Sequence, residues 1–318
     1  MEYIVLDLEW NQAQDSWDAR SKMLAFEIIE IGAVKLNSRM EIVDTFHELV
    51  RPQVYESMHR VTEKLLQIRM EELEQGRFFP DVAADFLKWC GSEYIFGTWG
   101  PLDLTELQRN MRFFGMDALA DGPFRFYDIQ KLFSIACEDG KSRRSLEYAV
   151  DYLKFDKDVP FHRALSDAYY TARVLQQIKD PQALQRFSFD TFTLPTSYRN
   201  EVRVVFDGYE KYISRSFEDK EALMADREVI ATRCYLCHRN LRKKLRWFCP
   251  NGKHYYSISY CDKHGYMKGK IRVKKAEDER VYAVKTMKFI NEAEAEAIWQ
   301  KKVRIRQIRK EKRKSGAM

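Results

Sequence analysis

At 318 residues, with 45% apolar and 32% charged side chains and a mean hydropathy of −0.53, the chain has material for about two domains, each with a core of its own. Its longest stretch free of Asp, Glu, Lys and Arg is nine residues, Tyr94 to Leu102, about half of what a membrane-spanning helix needs, and Met1-Glu2-Tyr3-Ile4-Val5-Leu6-Asp7 does not read as a signal peptide; a cytoplasmic chain with no membrane partner is expected. The net charge of +6 is unevenly divided: residues 1–227 carry 29 basic against 39 acidic side chains and residues 228–318 carry 25 against 9, which points to chemistry in the first part and polyanion binding in the second.

In chain order, Tyr3 to Leu8 is a short apolar run, Phe26 to Leu36 a longer one rich in β-branched residues, and Glu41 to Val50 alternates around Ile42, Phe46 and Leu49, so three strands are expected. Asn37-Ser38-Arg39 breaks the last two as a hairpin would. Helical spacing follows at Asp81 to Cys90, Thr105 to Phe114, Ser145 to Leu153 and Ala164 to Ile178, the last ending before Asp180-Pro181. Strands covered by returning helices predict an α/β layer structure over residues 1–180. Residues 181–227 match no pattern well and are expected to be a connector, with an extended stretch at 187–192 and a short helix at 219–227. A cysteine-rich domain over 228–290 and a basic helical tail over 291–318 complete the expected order.

The chemistry begins at Asp7 and Glu9, two acids spaced by two at the end of an apolar strand. Side chains alternate along a strand, so both carboxylates leave the same face, about 7 Å apart, while Leu6 and Leu8 pack on the other. On a central strand such a pair is costly unless a cation lies between them, and Mg²⁺ or Mn²⁺ takes carboxylate oxygens. A strand end reaching solvent is the plain alternative. The second signal is His162 followed by Ala164, Asp167, Ala168, Thr171 and Ala172, a helix face of small residues interrupted by one acid. A cation held by Asp7 and Glu9 would partner Asp167, and the His162 imidazole could take a proton from water near neutral pH. Leu8 and Trp10 flank the acids, where a side chain could stack on or wedge against a terminal base.

Asp-x-Glu on the first strand, an acid about a hundred residues on and His-x4-Asp on a late helix resemble the DEDDh 3′-to-5′ exonucleases of the ribonuclease H-like superfamily. The segments Glu27–Val34, Phe46–Pro52 and Phe126–Ile129, and the Trp99-Gly100 pair ahead of Asp103, are similar to the Eri-type and sporulation-inhibitor-like branch, over residues 1–180. The resemblance implies that Asp7, Glu9, Asp103 and Asp167 hold two Mg²⁺ or Mn²⁺ ions, with Asp7 bridging them, and that His162 is the general base. Pro101 and Leu102 replace the acid that the branch commonly carries just after Trp-Gly, and Asp85 and Asp128 are rivals of Asp103. Near His59-Arg60-Val61-Thr62, which in the family lines the terminal nucleotide, Val61 stands where glycine is usual, and only Thr62 is carried over as a substrate contact. The implied activity is metal-dependent hydrolysis of single-stranded nucleic acid from its 3′ end, RNA slightly ahead of DNA. The competing reading is a non-catalytic nucleic-acid- or ribosome-associated protein on the same fold.

Cys90 and Cys137 stand alone among apolar residues and read as small buried hydrophobes. Cys234-x2-Cys237 and Cys261-x2-His264 form two knuckles 23 residues apart, the pattern of a zinc ribbon holding one structural Zn²⁺, with Cys249 the alternative to His264 as fourth ligand. Lysines and arginines from Arg239 to Lys275, interleaved with Trp247, Tyr255, Tyr256 and Tyr260, have the composition of a single-strand binding surface. The whole is expected to be an α/β exonuclease domain followed by a small zinc-ribbon domain.

Overall fold

The computed structural model describes residues 1–15, 19–66 and 68–314, with side chains as far as Glu311; residues 315–318 of the expected tail lie outside the described residues. The chain forms two units, Met1–Ala120 with Phe124–Thr191, and Asp121–Pro123 with the residues from Phe192 onward. Among the described residues no helix is long and apolar enough to cross a membrane.

In the first unit β1 (Glu2–Asn11), β2 (Glu27–Leu36) and β3 (Ile42–Arg51) form an antiparallel meander. Helices α1 (Arg60–Leu66) and α2 (Met70–Leu73) lead to the short strand β4 (Arg77–Phe78) and to α3 (Phe79–Cys90). Then come β5 (Tyr94–Thr98), α4 (Leu102–Phe113), β6 (Arg125–Asp128), α5 (Ile129–Cys137), α6 (Leu146–Tyr152), α7 (Ala164–Gln177), α8 (Pro181–Leu184) and β7 (Ser188–Phe189). The sheet order is β4-β3-β2-β1-β5-β6-β7, and β5 lies parallel to β1.

This order puts β1 and β2 in the middle, with both faces covered, and explains why β2 is withdrawn from water almost throughout: nine of its ten residues are buried, Glu27 and Glu30 among them. Along β1, Ile4, Leu6 and Leu8 enter a core formed with Phe79, Val82 and Phe86 of α3 and Leu104 and Leu107 of α4. Val5 enters the opposite core, with Ile129 of α5 and Ala168, Ala172 and Leu175 of α7. Each such aliphatic side chain, fully withdrawn from water, contributes about 1.5–3 kcal/mol. Asp7 and Glu9 continue the Val5 face and so point to the α7 side.

Residues 181–227 differ from the expected connector. They begin with α8 and β7, which finish the first unit, and then supply two long strands of the second, β8 (Val202–Phe206) and β9 (Tyr209–Phe217), joined at Asp207-Gly208, with Gly208 at φ 81°. Gly208 alone takes the left-handed backbone of this tight turn, which glycine adopts without steric cost. After α9 (Lys220–Ala225) and α10 (Arg227–Ile230) come β10 (Arg242–Phe248), β11 (His254–Cys261), β12 (Gly265–Lys275), β13 (Val281–Phe289) and α11 (Glu292–Lys314). The strands form one antiparallel sheet, β10-β11-β12-β13-β9-β8. The cysteine knuckles therefore belong to a unit built on a six-stranded sheet, larger than the 228–290 ribbon expected, because β13 finds its second neighbour, β9, upstream of residue 228. The basic helix α11 docks its first half through Ala295 and Ile298 onto Leu245, Ile258, Phe248 and Tyr266.

Candidate active site

β1 pairs with β5 only as far as Val5↔Gly97, so Asp7 and Glu9 stand past the end of that pairing, where the carboxyl ends of two parallel strands open a crevice. Opposite them on β2 lie Gly32 and Glu30. Gly32 decides how close α7 can come: a methyl group there would overlap the backbone of Ala164 and Leu165. With no side chain in the way, the first turn of α7 rests directly on β2 and delivers Asp167. One oxygen from each of Asp7, Glu9 and Asp167 falls within 4.8 Å of the others.

Asp103 stands beside these three without joining the group within 4.8 Å: it comes from the first turn of α4, is 6% exposed, and accepts from the Leu8 N–H next to Asp7. Burial, and then the charges of Asp103, Glu9, Asp167 and Glu30, hold the Asp7 carboxyl well above its ordinary range. Burial also lifts Glu9 to about 8, reinforced by Asp167, Glu30 and Asp103, and lifts Asp167 to about 6. Asp103 is raised to about 7, again chiefly by burial, although its own N–H and that of Leu8 donate to it. The buried Oδ1 of Asp167 has no hydrogen-bond partner. Self-repelling carboxylates with an orphaned buried oxygen fit a hard divalent cation, which would supply the missing positive charge. The rival acids have other work: Asp85 pairs with Arg77 at 2.7 Å, and Asp128 caps α5 through the Lys131 N–H at 2.9 Å.

His162 is exposed and adopts φ 63°, a left-handed conformation uncommon for a residue with a side chain, in the loop entering α7. Its N–H donates to Asp167 Oδ2 at 3.2 Å, tying the loop to the acid cluster. Next to it Arg163 makes a forked contact with Glu30, at 2.9 Å from its terminal nitrogen and 3.1 and 3.2 Å from Nε. Glu30 also accepts from the Ala164 N–H at 3.3 Å, satisfying an end of α7 that Arg163, the capping residue, leaves without a side-chain acceptor, and it lies 2.6 Å from His47 Nε2. Burial would raise the Glu30 carboxyl, but the bonds from His47, Arg163 and Ala164 carry it below its ordinary value. Sequence reasoning missed this pair. Its only trace was an acid between the apolar residues Ile29 and Ile31 of a central strand.

A family model for exonucleases, RNase_T, matches residues 4–175, more than half of the chain. The chain belongs to the exonuclease family. Curated relatives include 3'-5' exoribonuclease 1 of Mus musculus, 26% identical over 159 residues, and that of Homo sapiens, 26% identical over 161, each match covering 46% of this chain. The match spans 45% of those relatives, so the chain corresponds to about half of their length. The crystal structure of the nuclease domain of 3'hExo, a DEDDh family member, bound to rAMP, shares the fold at 21% identity and a TM-score of 0.50, covering 60% of this chain and 96% of that one. The ribonuclease H-like fold expected for the first unit therefore holds.

Within the exonuclease unit the expected substrate contacts separate. Leu8 is 3% exposed, with its side chain in the core, and it reaches the acids only through its backbone N–H. Trp10 is partly buried, its ring 5.5 Å from that of Phe26. Thr62 lies in the first turn of α1, and the loop ahead of it is tied to the end of β1: Asn11 donates to Ser57 O at 2.9 Å and accepts from His59 N at 2.8 Å.

In the second unit Cys234, Cys237, Cys261 and His264 gather at one end of the sheet. Cys234 Sγ lies 3.3 Å and Cys261 Sγ 3.5 Å from His264 Nδ1, and Cys237 and Cys261 Sγ are 3.7 Å apart. A zinc tetrahedron with bonds of about 2.3 Å to sulfur and 2.0–2.1 Å to nitrogen has edges of about 3.5–3.8 Å, close to these separations. Cys249 lies in the β10–β11 loop, where its sulfur accepts from the Gly252 N–H.

Proposed function

We propose that the protein is a metal-dependent 3′-to-5′ exonuclease hydrolysing single-stranded nucleic acid, RNA ahead of DNA. The observation that carries this is the convergence of Asp7, Glu9, Asp103 and Asp167, all held above their ordinary carboxylate range, beside His162. The names of the relatives, 3'-5' exoribonuclease 1, support the direction and the preference for RNA.

Asp7, Glu9 and Asp167 would hold one Mg²⁺ or Mn²⁺ ion, and Asp7 with Asp103 a second. Two such ions, when bound, make water a better nucleophile and offset charge on the leaving 3′ oxygen. The imidazole of His162 would accept the proton of the attacking water, its loop held by Asp167 and, one residue on, by the Arg163–Glu30 fork. Trp10 and Thr62 would meet the terminal nucleotide. In the second unit Cys234, Cys237, Cys261 and His264 would hold one structural Zn²⁺.

Matched 5′-labelled single-stranded RNA and DNA, incubated with Mg²⁺, Mn²⁺ or EDTA, test the reading. A ladder of single-nucleotide steps from the 3′ end, absent in EDTA and faster on RNA, is expected. Internal cuts, or no shortening of either strand with metal present, would overturn it.

A further inference from the structure

Strands β11, β12 and β13 contain no acidic residue, yet carry a dense set of cations. On β12 these alternate with apolar residues: Met267, Ile271 and Val273 are buried, while Lys268, Lys270 and Arg272 leave the other face. The register then sets Lys268 directly opposite Lys288 of β13, a like-charge pair that a sheet does not form for its own stability. It sets Lys270 beside Tyr256 of β11, whose ring has Lys268 at 5.8 Å and Lys301 of α11 at 5.0 Å. Among the described residues none of Lys268, Lys270, Arg272, Lys288 and Lys301 forms an ion pair with a carboxylate. The crowding leaves a mark: Lys268 is held below its ordinary value by partial burial and by Lys270, Lys288 and Lys301, against the pull of Glu294.

Helix α11 rests on Ile258 and Tyr266 of this same face and leaves the line of β12 cations beside it, with Arg272 and Lys288 exposed; cations without counterions there are costly unless something anionic covers them. Successive face residues along a strand are about 7 Å apart, so Lys268, Lys270 and Arg272 offer regular charges in a line, with one aromatic ring at its side. A phosphodiester strand presents regular charges and bases that stack on such rings, whereas an acidic protein surface has no reason to match that period. We propose that this face of the second unit, with Lys268, Lys270, Arg272 and Lys288 binding phosphates and Tyr256 as a stacking platform, is a second binding surface for single-stranded nucleic acid, separate from the acid cluster. The proposal rests on the exonuclease reading for the kind of polyanion involved. It gives the second unit the task of holding the strand.

The test uses the full chain and a labelled oligouridylate in buffer without added magnesium or manganese, with affinity measured across a salt series. Replacing Lys268→Gln, Lys270→Gln and Arg272→Gln together should weaken binding and flatten the log–log salt slope by about 2, at roughly 0.7 for each phosphate of a single strand that the protein no longer neutralises. The pair Lys268→Arg and Lys270→Arg should keep the wild-type slope, since the surface acts through charge; a slope that falls there too would overturn the proposal. So would a triple Gln variant that binds as tightly and as steeply as the wild type, or a wild type whose binding does not respond to salt. Adding Mg²⁺ separates the two readings: a wild type that binds with the expected slope and never shortens the strand ends the nuclease reading and leaves this surface standing.

Discussion

Asp7, Glu9, Asp103 and Asp167 repel one another in a buried crevice, and under the proposed function their protonation would link stability to metal binding and cleavage. A carboxyl whose value is raised on folding holds its proton in the native state over a range where the unfolded chain has lost it, so stability falls as pH rises through that range. For Glu9 the range runs from about 4.5 to about 8, and for Asp167 from 3.8 to about 6. The metal-free protein should therefore have a higher denaturation midpoint at pH 6 than at pH 8, and saturating Mg²⁺ should narrow the gap; a midpoint that rises with pH without metal would contradict this. Asp7→Asn or Asp167→Asn should abolish cleavage, because each removes a ligand charge, and should leave the metal-free fold at least as stable, because each relieves repulsion. Circular dichroism melts alongside the cleavage assay check both halves. His162→Ala should slow cleavage by roughly 10²- to 10⁴-fold, the usual worth of a general base, with Mn²⁺ binding by calorimetry intact. An unchanged rate would mean that the imidazole takes no proton.

Among the elements, α7 positions most of the site, and it depends on two residues of β2. Gly32→Ala would push Ala164 and Leu165 off the sheet, costing about 1–3 kcal/mol as overpacking does, and it should cut activity by moving Asp167 away from Asp7. Chemical denaturation and Mg²⁺-dependent cleavage measured on the same variant check this. Arg163→Ala strips the buried Glu30 carboxylate of its main cationic partner, a loss of about 1.5–3 kcal/mol for hydrogen bonds to a charged group, and Glu30→Gln added to it should recover part of that. A double variant no more stable than Arg163→Ala alone would show that the fork does not act by charge.

Across the whole molecule, the boundary between units matters for any dissection of the chain. A cut after residue 227 keeps β8 and β9 but removes β13, on which β9 pairs, and the bared strand edge should drive the fragment into aggregates on size exclusion, whereas a cut after Thr191 leaves no such edge. Elemental analysis should find one zinc in the full chain, absent from Cys234→Ser and kept in Cys249→Ser. Zinc retained by Cys234→Ser would remove that cysteine from the ligand set.

Much of this was legible in the residues alone because it depends on local period. Alternation along Tyr3–Leu8 puts Asp7 and Glu9 on one face whatever lies around them, and the small residues after Ala164 mark a helix built for close approach. The six-stranded sheet was hidden because the pairing of β9 with β13 spans some seventy residues, and neither strand declares its neighbour; Asp207-Gly208 is a hairpin signal that the reading of 181–227 as a connector passed over. Glu30 was equally silent, since an acid inside an apolar strand gives no sign of the arginine, more than a hundred residues away, that neutralises it. The cations of β12 were visible as charge, but not as a line on one face whose first member, Lys268, stands opposite Lys288. Sequence determines which side chains share a face of an element, because that follows from backbone geometry within a few residues; which faces meet, and which charges are left without partners, is decided only when distant elements pack.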